Sequence, residues 1–578
     1  MTGHGEGARL PLLIGLFAAL LSMLAGVLMI NATAASAEMV PHRFADINPG
    51  PSSGTPYGFT RVGDSLYFSA RDGSHGNELF RLRDGRTELV ADINPGKYGS
   101  DPAYLTALGN HLYFRAYTEG SGEELWRTDG VHTEMIAEIG IGSEGGNISQ
   151  LTVIGNQLVF TADNGASGSE PWKFDGNTLA QIQDIRPGAM GSQPGEFTQL
   201  DGYLYFRADN GVLGSELWRT NGNIATLVGN IAPGAASSNP SSFTRMGDYL
   251  YFSASNASGQ ELWRTNGAMS SIVKDINPGA MSSGPQNLTV MGGHLYFRAM
   301  DGVSGFELWR TDGAFPVANV EQVADINPGA GNSYPGQLMA FNDQLYFQAE
   351  NPSVGEELFR SDGNGAELVG DLAPGSEDSN PAGLTALGSE IFFTANDGEH
   401  GHELWSTDGG QPRMLRDILP GNNSSEPWGY VAYGGSLYFS ADDGTSGSEL
   451  WRITEDDSVT VKLPSGRVKV DRVGRLGLKV RCALTEISGP CRGTVVIRTS
   501  GKVKNGGKVR RVTIGKGKFT AEPGTAGKVL IKLPKAVRKL VRRDKGARRV
   551  TIRVKAADGV GNQSILSRGA RLTGPGAR

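Results

Sequence analysis

Apolar and polar positions along residues 39–457 recur with a period near 46 residues, and three markers run in step. The first is Glu-Leu-aromatic, with its glutamates at Glu78, Glu124, Glu170, Glu216, Glu261, Glu307, Glu357, Glu403 and Glu449. Their successive spacings are 46, 46, 46, 45, 46, 50, 46 and 46. The second is Asp-x-x-Pro-Gly or a near variant, beginning at Asp46, Asp92, Glu138, Asp184, Asn230, Asp275, Asp325, Asp371 and Asp417. The third is Leu-Tyr-Phe-x-Ala, as at Leu66, Leu112, Leu204, Leu250, Leu295, Leu345 and Leu437. A fixed period of this size marks a repeat architecture.

Each unit reads as four short strands. In the second unit they are Tyr104–Leu108, Leu112–Ala116, Glu124–Thr128 and Thr133–Ile139, with Gly109-Asn110 and Asp129-Gly130 as tight-turn signals. Leu112, Tyr113 and Phe114 are consecutive apolar residues, so this strand is expected to be buried on both faces. Four-stranded blades stacked around an axis bury both faces, and a helical repeat would show 3.6-residue periodicity instead. The fold expected is all-β: one large propeller of nine four-stranded blades, followed by a small basic β-sandwich. The stretch Met39–Ile47 has no earlier strands of its own, and the last unit ends at Ile453 without a fourth strand. Residues 39–47 are therefore expected beside Glu449–Ile453, closing the ring and removing two sheet edges.

Charge divides the chain. Residues 458–578 hold 31 Lys/Arg and 5 Asp/Glu, a net of +26, which leaves −32 for the rest and −6 overall. Opposite signs on two segments suggest two domains with different partners. At the N-terminus, Arg9, the apolar run Leu10–Ile30 and Ala35-Ser36-Ala37 form an export signal, so residues 1–37 are read as a signal peptide. The alternative is a retained anchor, since about 20 apolar residues span a bilayer. No later segment is apolar enough to span, so no membrane span is expected once the signal is cleaved. The domains expected are thus 1–37, 38–457 and 458–578. The 83 glycines fit a chain rich in tight turns.

The phrases Glu124-Leu125-Trp126-Arg127-Thr128-Asp129-Gly130 and Glu307-Leu308-Trp309-Arg310-Thr311-Asp312-Gly313 resemble the bacterial ELWxxDGT-repeat (hyalin-like) family. Phe80 and Phe359 depart from its Trp, Pro171 from its Leu, and Asn221 and Asn266 from its Asp. The resemblance implies a secreted or surface propeller-like protein and no particular catalytic activity. The tail resembles an Ig-like β-sandwich appendage of exported actinobacterial proteins, in Lys479-Val480-Arg481-Cys482, Cys491-Arg492-Gly493-Thr494-Val495, Lys532–Arg543 and Ala557-Asp558-Gly559-Val560-Gly561-Asn562. Within it Thr494–Arg498, Val509–Ile514, Lys528–Leu533 and Val550–Lys555 alternate like strands, and Pro534–Arg543 reads as a short helix.

Nine equivalent glutamates suit structural pairing, because catalysis needs a few groups in one unique place. Trp126, Trp172, Trp218, Trp263, Trp309, Trp405 and Trp451 read as blade-packing anchors. The loop Asx-Gly-x-x-Gly-x-Glu, starting at Asp72, Asn164, Asn210, Asp301, Asp397 and Asp443, suits either a positive-φ turn or calcium. The turn is the expectation, with Asp442, Asp443 and Glu449 the candidate ligands if calcium binds. No other metal or cofactor is expected, and His400 and His402 read as ordinary loop residues. Cys482 and Cys491, in an exported chain, are expected to form a disulfide.

Two function classes follow. The first is a secreted or cell-surface, non-catalytic binding or adhesion scaffold. Its loops would hold an extracellular glycan or protein, and residues 458–578 would contact an anionic cell-envelope polymer. Export and the lack of interleaved aromatic residues in the tail argue against nucleic acid. The alternative is a propeller glycosidase or lyase acting on extracellular polysaccharide, which needs a unique acidic pair.

Overall fold

The computed structural model describes residues 38–456 without interruption and most of 461–573. Residues 1–37, 457–460, 463–466, 483–490, 522–525, 536–547, 558–562 and 574–578, with 472, 474, 501–502, 506–507 and 512, lie outside the described residues. The expected signal peptide and most of the expected tail helix fall there. Pro41–Thr454 form one compact unit, and the described residues before Pro41 and after Thr454 group in a second.

The first unit is all-β and propeller-like. Among the described residues it contains nine four-stranded antiparallel sheets, each built from strands in chain order except the last. In the Glu124 sheet the strands are Ala103–Leu108, His111–Thr118, Gly122–Thr128 and Thr133–Ala137. The fourth stops short of the expected Ile139, because the amides of Ile139 and Gly140 leave the ladder to donate to Glu124. The second strand is buried on both faces, with Leu112 and Phe114 fully covered and Tyr113 nearly so. Tyr113 and Leu125 pack against Leu158, Phe160 and Phe174 of the next sheet, while Leu112, Phe114 and Ala116 pack against Tyr67 and Leu79 of the previous one. The apolar cores therefore lie between sheets, where large aromatic side chains remove the most surface from water.

The last sheet takes its fourth strand from the start of the chain: Glu38–Ala45 lies beside Ser448–Asp456, followed by Ser436–Asp442 and Trp428–Tyr433. The first strands of successive sheets are neighbours all the way round, and Trp428–Tyr433 lies beside Tyr57–Val62 of the first sheet. Hydroxyls link these inner strands, with Thr60 Oγ1 donating to the Leu105 carbonyl at 3.0 Å and Thr244 Oγ1 to that of Leu288 at 3.1 Å. Every inner strand starts with a bulge, as where Ala103 pairs with Arg115 but Thr106 with Tyr113. Tyr104 sits in the bulge at φ 54°.

The second unit holds a sheet ordered Arg467–Lys469, Gln563–Thr573, Arg548–Ala557, Cys491–Thr499, Thr513–Ala521. A smaller sheet contains Val461–Lys462, Arg475–Cys482 and Ala526–Lys532. Val480, Ile497, Ile531, Ile552 and their neighbours form its buried core. The expected strand Val509–Ile514 is in fact two pieces. Lys508–Arg510 belongs to a hairpin, and the chain passes exposed Arg511 before Ile514 enters the core. The side chains of Cys482 and Cys491 lie outside what is described. Among the described residues, no helix is long and apolar enough to cross a membrane.

Candidate functional site

The nine repeat glutamates are all fully buried. In each sheet Glu sits opposite the Ala that ends Leu-Tyr-Phe-x-Ala, as in Ala208↔Glu216. From there its carboxylate meets the loop that begins with Asp-x-x-Pro-Gly. Glu216 accepts from the backbone N–H of Ile231 at 2.8 Å, Ala232 at 3.2 Å and Ser238 at 3.2 Å, and from Ser238 Oγ at 2.6 Å. Seven of the nine glutamates accept from such a serine hydroxyl: Ser100, Ser192, Ser238, Ser283, Ser333, Ser379 and Ser425. Gly146 and Gly54 take its place at Glu124 and Glu449. Glu449 draws its donors across the chain ends, from Ile47 at 2.7 Å, Asn48 at 3.1 Å and Gly54 at 3.0 Å. Burial raises the pKa of every one of these carboxyls above its ordinary value, and the hydrogen bonds only partly offset it. Glu357 and Glu449 are pushed up to about 7.

The rest of the motif locks one sheet to the next. Trp218, Trp263, Trp309, Trp405 and Trp451 are buried between sheets, and Trp126 and Trp172 partly so. Arg360 Nη1 donates to the Gly409 carbonyl of the following sheet at 2.7 Å, and Arg264 Nη1 to that of Gly313 at 2.8 Å. The turn glycine has to be glycine. Gly363 has φ 99°, and a Cβ there would lie 2.5 Å from Tyr296 Oη and 2.7 Å from Arg310 Nη1. The preceding Thr and Asp cap the turn, as Thr128 Oγ1 accepts from Gly130 N–H and Asp129 from Val131 and His132 N–H.

The Asx-Gly loops form side-chain turns. Asp72, Asn164, Asn210, Asp301, Asp397 and Asp443 each accept backbone N–H groups two and three residues on. At Asp443 burial opposes ionisation, but bonds from Thr445 and Ser446 outweigh it and hold the carboxyl at about 2. Asp442 accepts from Gly444 N–H, and Glu449 is enclosed in its own niche, so the three candidate calcium ligands are not gathered around one point. His400 pairs with Asp397 at 2.7 Å, whereas the backbone N–H of His402 donates to Ser424 Oγ.

One concave site stands out from the repeat. A cavity of about 530 Å³ lies where the Glu357, Glu403 and Glu449 sheets meet at their inner strands. Gln348, Glu356, Asn380, His402, Glu426 and Trp428 line it, with Tyr430 and Thr394 joined by a 2.6 Å hydrogen bond. Trp428 is 42% exposed, and its ring stacks on Tyr57 with centroids 6.4 Å apart and planes 22° from parallel. At this first inner-strand position the other sheets carry Ala103, Ser149, Gly195, Ser241, Gln286, Gly336 and Ala382, so the two aromatic residues are adjacent only at the seam. Burial, with Asp378 and Glu350 nearby, raises the Glu356 carboxyl. The motif reading passed over this site. Its signal is arithmetic: the chain has eight Trp, seven at the Glu-Leu-Trp position, and Trp428 is the remainder.

No protein-family model matches the chain, and no curated protein matches it. Among solved structures it is similar to a Mycobacterium tuberculosis puromycin-hydrolyzing peptidase, at 12% identity and TM-score 0.33, covering 64% of this chain and 62% of that one. It is also similar to Saccharomyces cerevisiae Sqt1, at 10% identity and TM-score 0.34, covering 73% of this chain and 99% of that one. Prolyl oligopeptidase B from Galerina marginata gives 10% identity and TM-score 0.30, over 75% of this chain and 55% of that one. The chain thus spans less than two thirds of either peptidase.

Proposed function

We propose that the nine sheets form one nine-bladed propeller of the ELWxxDGT-repeat kind, followed by a basic β-sandwich. In this reading the protein is a secreted or cell-surface, non-catalytic binding scaffold. Propeller loops hold an extracellular glycan or protein, and residues 458–578 contact an anionic envelope polymer. The observation that carries the non-catalytic reading is the state of the nine repeat glutamates. Each is fully buried and spends its oxygens on donors within the fold, so the carboxylates that dominate the sequence are not presented to a substrate. The charge contrast of +26 against −32 supports the two-partner arrangement.

Retention of the exported chain on isolated cell envelopes tests it. Binding is expected at low salt and should be lost as the Debye length falls from about 10 Å at 0.1 M to about 3 Å at 1 M. No binding at low salt, or equal binding at 1 M, contradicts the envelope contact. Turnover of an envelope polysaccharide, read as released reducing ends, would favour the enzyme reading instead.

A further inference from the structure

Resting on the scaffold reading, we infer that the cavity between the Glu357, Glu403 and Glu449 sheets is a saccharide site, with Trp428 as its stacking platform and an accompanying preference for uncharged or amine-bearing sugars over uronic acids. A sugar ring presents a flat face of C–H groups and an edge of hydroxyls. The first needs an exposed aromatic plane and the second needs convergent polar groups in a concavity, which is the usual make-up of a small-ligand site. Both occur here together. Trp428 faces solvent and is backed by Tyr57, whose hydroxyl is fixed by Asn77 Nδ2 at 2.8 Å. A backed ring loses little freedom when a ligand stacks on it. Gln348, Asn380 and His402 can donate and accept, and Glu356 and Glu426 accept.

The charge preference follows from what lines the cavity. Its lining contains two carboxylates and no Lys or Arg. At the second-strand position where Gln348 and Thr394 face it, three other sheets carry Arg115, Arg207 and Arg298. Those cations are absent from this cavity, and Glu350 and Asp378 add negative charge behind Glu356. A uronate would meet repulsion there, and an ammonium group would be attracted.

Calorimetry on the exported chain tests this with three probes: tetraglucosamine, cellotetraose and tetragalacturonate. The first two should bind and the third should not. Trp428→Ala should weaken binding about tenfold or more, while Trp428→Phe, which keeps an aromatic plane on Tyr57, should retain most of it. Glu426→Gln should weaken tetraglucosamine more than cellotetraose. The inference is overturned if tetragalacturonate binds as tightly as tetraglucosamine, if Trp428→Ala binds like the parent, or if none of the three binds. In each case the scaffold reading is judged separately, by envelope retention.

Discussion

Removing one serine hydroxyl isolates what a repeat niche contributes to stability. Ser238 donates to Glu216 at 2.6 Å, and the same carboxylate accepts three backbone N–H groups. A hydrogen bond to a charged group contributes about 1.5–3 kcal/mol. Ser238→Ala should therefore destabilise the ring by about 2 kcal/mol. Glu216→Ala should cost more, about 3–5 kcal/mol, because it leaves several buried donors without an acceptor at roughly 1–3 kcal/mol each, eased in part by entering water. Once Glu216 is gone the Ser238 hydroxyl keeps only the longer contact to the Ser215 carbonyl at 3.3 Å, so in the double variant the two effects should fall short of additivity by about 1.5 kcal/mol. Denaturant unfolding at pH 7.5 measures all three. Additive losses, or a Glu216→Ala cost below that of Ser238→Ala, would refute the niche as the source of the motif's recurrence.

Three further outcomes are expected. Glu357 and Glu449 have folded values of about 7, above the ordinary 4.5, so the stability linked to their protons is fully present below pH 4.5 and lost as pH rises through 7. The thermal midpoint should fall between pH 5 and pH 8 and fall less in Glu449→Gln; a midpoint that rises over that range contradicts it. Gly363→Ala should lower stability by about 2 kcal/mol or more, combining a φ of 99° with a clash against Tyr296 and Arg310, and denaturant unfolding measures it. Mass spectrometry of the protein purified without reductant should find Cys482 and Cys491 joined, and two free thiols would refute the disulfide.

Much of the first unit is legible because each strand type repeats nine times against a period-2 background. The Leu-Tyr-Phe run announces a strand covered on both faces, and Leu112, Tyr113 and Phe114 are buried as it implies. The structural role of the glutamates is legible from their number, but their partners are not. Ser238 lies 22 residues beyond Glu216, across a turn whose geometry no local pattern states. Strand ends fail for the same reason: Ile139 looks like strand, yet its amide is needed by Glu124. Asp443 and Glu449 look like joint ligands in sequence and turn to different donors once the loop closes. Trp428 escapes motif reading because a binding surface departs from the repeat instead of following it.

Thermal unfolding of a chain lacking Glu38–Ala45 tests whether that strand closes the ring. That strand pairs with Ser448–Asp456, and its Phe44 packs on Tyr438 at 5.4 Å. Its loss would expose an edge of the Glu449 sheet and open the seam. The thermal midpoint should be lower than that of the parent chain. An unchanged midpoint would contradict closure.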